Sequence, residues 1–357
     1  MNRKIKTGYI LLAILLISSM VTVYYMGFFK KKASYDVSLN QSFKAASPIL
    51  IGAAVDSIHL QEDQKYKELF LQHYDSMVSE FQMKMKYIYP HEGEYRFEAA
   101  DFLVTFAEQN NISMHGHTLI WHLSVPDWIQ NFKGTDGEFE DLIKEYIMTV
   151  VGRYKGRIDS WDVVNEAFTA SGYRDTIFYQ RLGPNYISKV FQWAHEADPD
   201  AKLYYNDYKI LAEPKKRDFI LTELTKMINE GVPIHGLGIQ SHLKLSEPSI
   251  DVIRSSLENC SELGIDIRIS ELDVSVNHDF RNYVFTDELA ELQKQRYHDL
   301  IELFLQFPQI KDITTWGVFD GHTWKSKFYQ PDWPLLFDKD YNPKPAAEGF
   351  LLALQGL

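Results

Sequence analysis

From Pro48 onward the chain repeats one pattern eight times: a short run rich in β-branched and aromatic residues, then a longer stretch of helical period. That is the order expected of a parallel sheet with crossover helices. The strands are placed near Ile49–Val55, Ser76–Met83, Ser113–Ile120, Ser160–Asn165, Lys202–Asn206, Gly236–Gln240, Asp266–Ser270 and Asp312–Val318, with helices such as Ala99–Gln109, Phe139–Val151 and Asp287–Gln306 between them. Eight units in succession predict an α/β fold closed as a (β/α)8 TIM barrel, which takes roughly 250 to 300 residues. That uses nearly all of the 357-residue chain, and no repeat of solenoid period competes with it.

In such a barrel the reactive residues stand where strands end. Six of the eight predicted ends carry polar or aromatic groups of that kind. The third brings His115, His117, Trp121 and His122, the fourth Asn165 and Glu166, and the fifth Asn206, Asp207 and Tyr208. The sixth brings Gln240, Ser241 and His242, the seventh Glu271 and Asp273, and the eighth Trp316 and Asp320. Any one of these has a structural explanation; the joint pattern implies a shared cleft.

Two of the ends suit one chemistry. Cleaving a glycosidic bond takes one carboxylic acid to protonate the leaving oxygen and one carboxylate on the opposite face of the sugar. Glu166 and Glu271 each follow directly on an apolar strand, WDVVN and DIRIS, and strands four and seven lie across a barrel from one another. A solitary glutamate is usually a surface or ion-paired residue; at two such ends, the pair reads as catalytic. Two nearby carboxyl groups do not both ionise cheaply, and the more hydrogen-bonded one keeps its charge. Glu271 is expected to be that one, through a chain of His242 and Asp273. Glu166, beside Val164 and Phe168, is expected to have its pKa raised and to act as the acid. A gap of roughly 5 to 5.5 Å between them would retain configuration, and one of roughly 6.5 to 9.5 Å would invert it.

Charge narrows the partners. The first 32 residues hold six basic side chains and no acidic one, so the remainder carries 31 basic against 49 acidic. Such a body repels phosphate backbones and argues against nucleic acid, whereas a neutral polysaccharide is indifferent to it. Aromatics at 14% suit a groove that stacks sugar rings as well as an ordinary core. Cys260 is the sole cysteine, which rules out an intrachain disulfide and a zinc site built on several thiolates.

Tyr9 to Phe29 is an uncharged run of 21 residues, close to the roughly 20 that cross a bilayer as a helix. Lys30, Lys31 and Lys32 follow where a cleavable signal would show a small-x-small site. Residues 1–32 are therefore expected to be a membrane anchor, with cleavage as a secretion signal the alternative. A polar linker over 33–47 and a catalytic barrel over 48–357 complete the division. Both flanks of the run are basic and do not orient it; a polysaccharide substrate places the barrel outside the cytoplasm.

With these residues in view, the chain resembles glycoside hydrolase family 10, the endo-β-1,4-xylanases. The matching strings are HGHTLIWH from His115, WDVVNEAF from Trp161, YYNDY from Tyr204, GLGIQSHL from Gly236, ISELDV from Ile269, TTWGVFDGHTW from Thr314 and PLLFDKDYNPKPA from Pro334, in family order. The resemblance implies hydrolysis of xylan or a related β-glycan with retention, with Glu166 as acid/base, Glu271 as nucleophile and no cofactor or metal. It implies that Asn165 binds the 2-hydroxyl of the sugar being cleaved and that His117, Trp121, Gln240, Trp316 and Trp324 line the central subsites. Gln240 and His242 are implied to bond Glu271, with Asp273 in support, and Tyr208 to be a stacking platform on the leaving-group side. Glu80 and Lys84 belong to a segment the family uses for the second sugar on the glycone side. There the family pattern ENxMKW reads EFQMKM, with Phe81 in place of Asn and Met85 in place of Trp. Lys209 also stands where Asn is common.

Two other readings compete. His115 and His117 form an HxH pair that, with Asp320, resembles the metal sites of hydrolases on this same barrel. Alternatively, the chain is a tethered carbohydrate-binding protein that keeps the groove without the chemistry.

Overall fold

Eight parallel strands close into a barrel in the computed structural model, which describes residues 32–279, 284–326 and 330–357. They are β1 (Leu50–Val55), β2 (Ser76–Ser79), β3 (Ser113–Trp121), β4 (Ser160–Asn165), β5 (Lys202–Asp207), β6 (Gly236–Ile239), β7 (Asp266–Ser275) and β8 (Ile310–Thr315). Each pairs with its neighbours in sequence, and β8 pairs with both β7 and β1 to complete the ring. Burial on both faces explains the near-continuous apolar runs, with β2 and β6 buried at every position. The crossover helices are fenced at their starts. Thr135 and Glu138 form a capping box on the helix Asp136–Arg153, and Thr286 caps Asp287–Phe304.

Inside, the barrel is unusually polar. His115 and His117 of β3 approach Asp162 of β4 at 3.1 and 2.7 Å, and Arg268 of β7 meets Asp312 of β8 at 3.1 Å. Burial pushes the His115 imidazole below its ordinary pKa. Burial acts the other way on Asp162, yet its two imidazoles outweigh that and hold it below the usual carboxylate range. These pairs buttress the floor on which the site stands.

Three boundaries differ from expectation for local reasons. β7 runs on to Ser275 because His242–Lys244 continues the pairing beyond the end of β6. β2 stops at Ser79, where the chain turns through Phe81 and Lys84, with Lys84 N bonding Phe81 O at 3.0 Å. β8 stops at Thr315, where the chain turns back with Gly317 N bonding Thr315 O at 2.9 Å and Gly317 at φ 131°.

The stretch 33–47, expected as a linker, is docked on the barrel. Ala33 N bonds Phe285 O at 2.7 Å, and Phe43 is fully buried with His73, Phe350 and Phe337 at ring separations of 4.6, 4.9 and 5.9 Å. Burying a phenyl is worth about 1.5–3 kcal/mol, which a mostly polar stretch conceals from a composition reading. The run Tyr9–Phe29, expected as an anchor, lies outside the described residues; within them no helix is long and apolar enough to cross a membrane.

Candidate active site

A cleft of 630 Å³ opens at the C-terminal ends of the strands. Glu166 and Glu271 line it, together with Glu80, Lys84, His117, Trp121, Asn165, Tyr208, Gln240, His242, Trp316 and Trp324. Asp273 stands behind them, fully buried.

Glu271 lies within β7, two residues past Ile269, the last position of that strand paired with β6. Asn206 Nδ2 donates to its Oε1 at 2.8 Å, and His242 Nε2 stands 3.1 Å from its Oε2. His242 Nδ1 lies 2.8 Å from Asp273 Oδ2. Burial alone would depress this imidazole, but the two carboxylates outweigh it and raise it to about 9. His242 is thus an imidazolium at neutral pH, bridging two anions. Burial works against the charge of Asp273, and His242 with Lys325 at 3.2 Å overcomes that and holds it below the usual range. Trp324 Nε1 bonds the same Asp273 carboxylate at 3.0 Å, so one buried anion fixes both the histidine and a wall of the cleft.

Glu166 is held differently. Its backbone is left-handed, at φ 58°, a conformation that costs a residue with a side chain roughly 1–2 kcal/mol. Two bonds hold it there: Glu166 N donates to Asn206 O, and Arg174 Nε donates to Glu166 O, both at 2.9 Å. Among the described residues its carboxylate has one donor, Gln240 Nε2 at 3.0 Å. Gln240, expected to bond Glu271, therefore serves Glu166, and Asn206 takes the place beside Glu271. Phe168, expected as an apolar neighbour of Glu166, is fully buried at 5.1 Å from the rings of Tyr205 and Tyr173.

Asn165 joins the two halves. Its Oδ1 accepts from Asn206 Nδ2 at 3.1 Å and from Gln240 Nε2 at 3.3 Å, so three amides connect one glutamate to the other. Asn206 reaches this place because Gly238 faces it: a Cβ there would come within 2.3 Å of Asn206 Oδ1. Ser270 Oγ completes Asn206 by donating to Oδ1 at 2.7 Å. The role of Asn206 was not read from the sequence; its signal, a polar residue at the end of β5, was visible.

The cleft walls carry aromatic rings and cations. Lys84 Nζ stands 4.8 Å from the Trp121 ring, 5.6 Å from Trp316 and 5.4 Å from Phe81. Burial pulls this ammonium below its ordinary pKa, against the attraction of Glu271, Glu80 and Glu166. Glu80 is paired with His322 at 3.2 Å. Of the two departures from the family pattern in this segment, Phe81 lines the cleft while Met85 is buried in the core. On the opposite wall, Tyr208 is clamped by Arg174 Nη2 at 3.0 Å on its hydroxyl and by Lys216 Nζ at 3.3 Å from its ring centre.

The alternative metal site does not assemble. His115 and His117 both turn to Asp162, and Asp320 is buried against Lys344 at 2.7 Å. Among the described residues, the one group of ligand-type side chains close enough to share an ion is His298, Asp299 and Glu302, on the outer helix Asp287–Phe304.

A sequence profile for glycosyl hydrolase family 10 matches residues 38–353. The chain belongs to that family. It is accordingly a glycoside hydrolase, and it resembles characterised family 10 members along nearly its whole length. It is 40% identical over 322 residues to endo-1,4-beta-xylanase B of Paenibacillus barcinonensis, covering 86% of this chain and 95% of that one. It is 38% identical over 350 residues to a beta-1,4-xylanase of Dictyoglomus thermophilum, covering 94% and 96%. A solved structure of xylanase 10C from Cellvibrio japonicus in complex with xylopentaose superposes with a TM-score of 0.85 at 32% identity, covering 90% of this chain and 70% of that one.

Proposed function

We propose that this chain is a retaining endo-β-1,4-xylanase that works by double displacement, with Glu271 as nucleophile and Glu166 as acid/base. The observation that carries this reading is the chain of amides from Glu166 through Gln240, Asn165 and Asn206 to Glu271, which aims two carboxyl groups into one cleft. The donors differ in a way that supports the division of labour. Glu271 receives an amide and an imidazolium, which favour a carboxylate. Glu166 receives one amide, leaving its second oxygen for the glycosidic oxygen.

In the first step Glu271 attacks the anomeric carbon as Glu166 gives its proton to the departing oxygen, and the acetal C–O bond breaks. In the second, Glu166 takes a proton from water, whose oxygen displaces Glu271 with a second inversion. Asn165 meets the 2-hydroxyl, a contact that tightens in the transition state. Trp121, Trp316 and Trp324 present ring faces and edges to the sugars, while Glu80, Lys84 and His117 bond hydroxyls on the glycone side. The xylan specificity draws its support from the names of the relatives. Residues 1–32 act as a membrane anchor that presents the barrel outside the cytoplasm, and a sugar polymer is the partner.

The test is product analysis of residues 34–357 on xylan, mixed-linkage glucan and cellulose, with NMR of the first-formed anomer. Short oligomers from xylan with β configuration are expected. An α first product, or action on a non-xylan glycan alone, would overturn the proposal.

A further inference from the structure

The cleft wall that follows β2 carries two aromatic rings that the chemistry at the glutamates leaves unused. Phe81 lines the cleft, half-buried, with Lys84 Nζ 5.4 Å from its ring centre. Tyr87 stands beside it, 49% exposed, at a ring separation of 6.1 Å and an interplanar angle of 45°. Exposure rises along this row, from Lys84 at 6% through Phe81 to Tyr87, so the row leads from the neighbourhood of Glu271 to the rim. A lone exposed tyrosine needs no explanation. Two adjoining rings, one of them inside the cleft, are a different case. A phenyl has neither donor nor acceptor for a sugar hydroxyl, and water over it is given up readily; what it can hold is the C–H face of a pyranose.

Both rings are held before any sugar arrives. Lys84 N donates to Phe81 O at 3.0 Å and Tyr87 N to Lys84 O at 2.8 Å, closing two successive turns. Ser79 Oγ donates to Gln82 Oε1 at 3.0 Å and Gln82 Nε2 to Asp56 Oδ1 at 3.2 Å, which ties the loop to the residue after β1. Met83, Met85 and Ile88 of the same segment are buried in the core and anchor it from behind. A face formed in advance loses little ordering entropy when a ligand settles on it.

We infer that Phe81 and Tyr87 form a stacking platform for two successive β-1,4-linked pyranose rings on the glycone side, the second and third counted from the bond cleaved. Chain length and ring shape, in place of bonds to hydroxyls, then set affinity along this stretch. The inference rests on the proposed division of the cleft, in which Lys84 meets the glycone and Tyr208 the leaving group. The first glycone sugar lies over Glu271 beside Lys84, Phe81 takes the next ring, and Tyr87, further out, takes the third. No bond changes at the platform, which acts on binding alone.

The experiment measures kcat/KM for release of 4-nitrophenol from the β-glycosides of xylobiose and xylotriose. The leaving group is common to both, so the trioside-to-bioside ratio reads the third glycone sugar alone. The wild type is expected to prefer the trioside about 5- to 20-fold. Tyr87→Ala is expected to bring that ratio to about 2 or below, and Tyr87→Phe to keep it, since the ring and not its hydroxyl makes the contact. Phe81→Ala is expected to raise KM for both substrates with kcat changed much less, as for a group that binds remote from the reacting bond. Activity on the bioside tests the xylanase reading by itself; should it be absent, the cellobioside and cellotrioside of the same phenol carry the same comparison of ratios. A wild-type ratio near one, or a ratio that Tyr87→Ala leaves in place, would overturn the platform.

Discussion

The two glutamates face one cleft but are supported in opposite ways. Glu271 sits within a strand, at the break between two paired stretches, and its charge partner His242 is locked between two anions. Glu166 sits just past a strand, in a left-handed conformation, with its backbone braced and one amide on its side chain. In the proposed mechanism the nucleophile must be an anion at a fixed place, whereas the acid/base must exchange a proton twice per cycle. Rigid ionic support suits the first, and a lightly bonded carboxyl on a well-held backbone suits the second. The proposed division of roles rests on what surrounds each side chain, since the two residues are chemically identical.

The largest expected effect breaks the symmetry directly. Glu271→Gln is expected to lower kcat on every substrate by on the order of 10⁴-fold or more, because the neutral amide that replaces the carboxylate is a far weaker nucleophile. Glu166→Gln is expected to cost about 10²–10⁴-fold on xylan, but far less in the first step on an aryl glycoside whose leaving group needs no proton. Equal losses on both substrates, measured by burst kinetics, would reverse or dissolve the assignment.

An intermediate effect sharpens the comparison through Asn206. Gly238→Ala places a carbon 2.3 Å from Asn206 Oδ1 and 2.9 Å from its Cγ, so the amide must move. Displacing the group that aims Glu271 is expected to lower kcat by about 10- to 100-fold, with KM for short oligomers changed much less. An unchanged kcat would show that Asn206 does not position the nucleophile.

The smallest effect lies in the pH profile. His242 is raised from its ordinary 6.5 to about 9, so its pairing stabilises the fold fully below about 6.5 and is lost as pH climbs through about 9. Activity that depends on the imidazolium should fall on the same alkaline limb. Asp273→Asn removes one of its two anions, so the limb is expected to move toward lower pH while activity near pH 6 falls only a few-fold. A limb that stays near 9 in this variant would remove His242 as its source.

Reading outward from these residues shows where sequence reasoning holds. Eight alternating units and their polar ends were legible, because strand period and the apolar runs of a parallel sheet are local properties. Both carboxylates were legible for the same reason. Which amide serves which glutamate was not: Gln240 and Asn206 lie 34 residues apart at the ends of adjacent strands, and only their packing directions decide that one reaches Glu166 and the other Glu271. The segment 33–47 was misread likewise. One fully buried side chain, Phe43, docks a stretch that composition marks as a tether. The chain order alone thus determined the barrel, its mouth and the pair of acids. Closure of the ring, which sets each strand's neighbours and therefore the direction of every donor, decided how those acids differ.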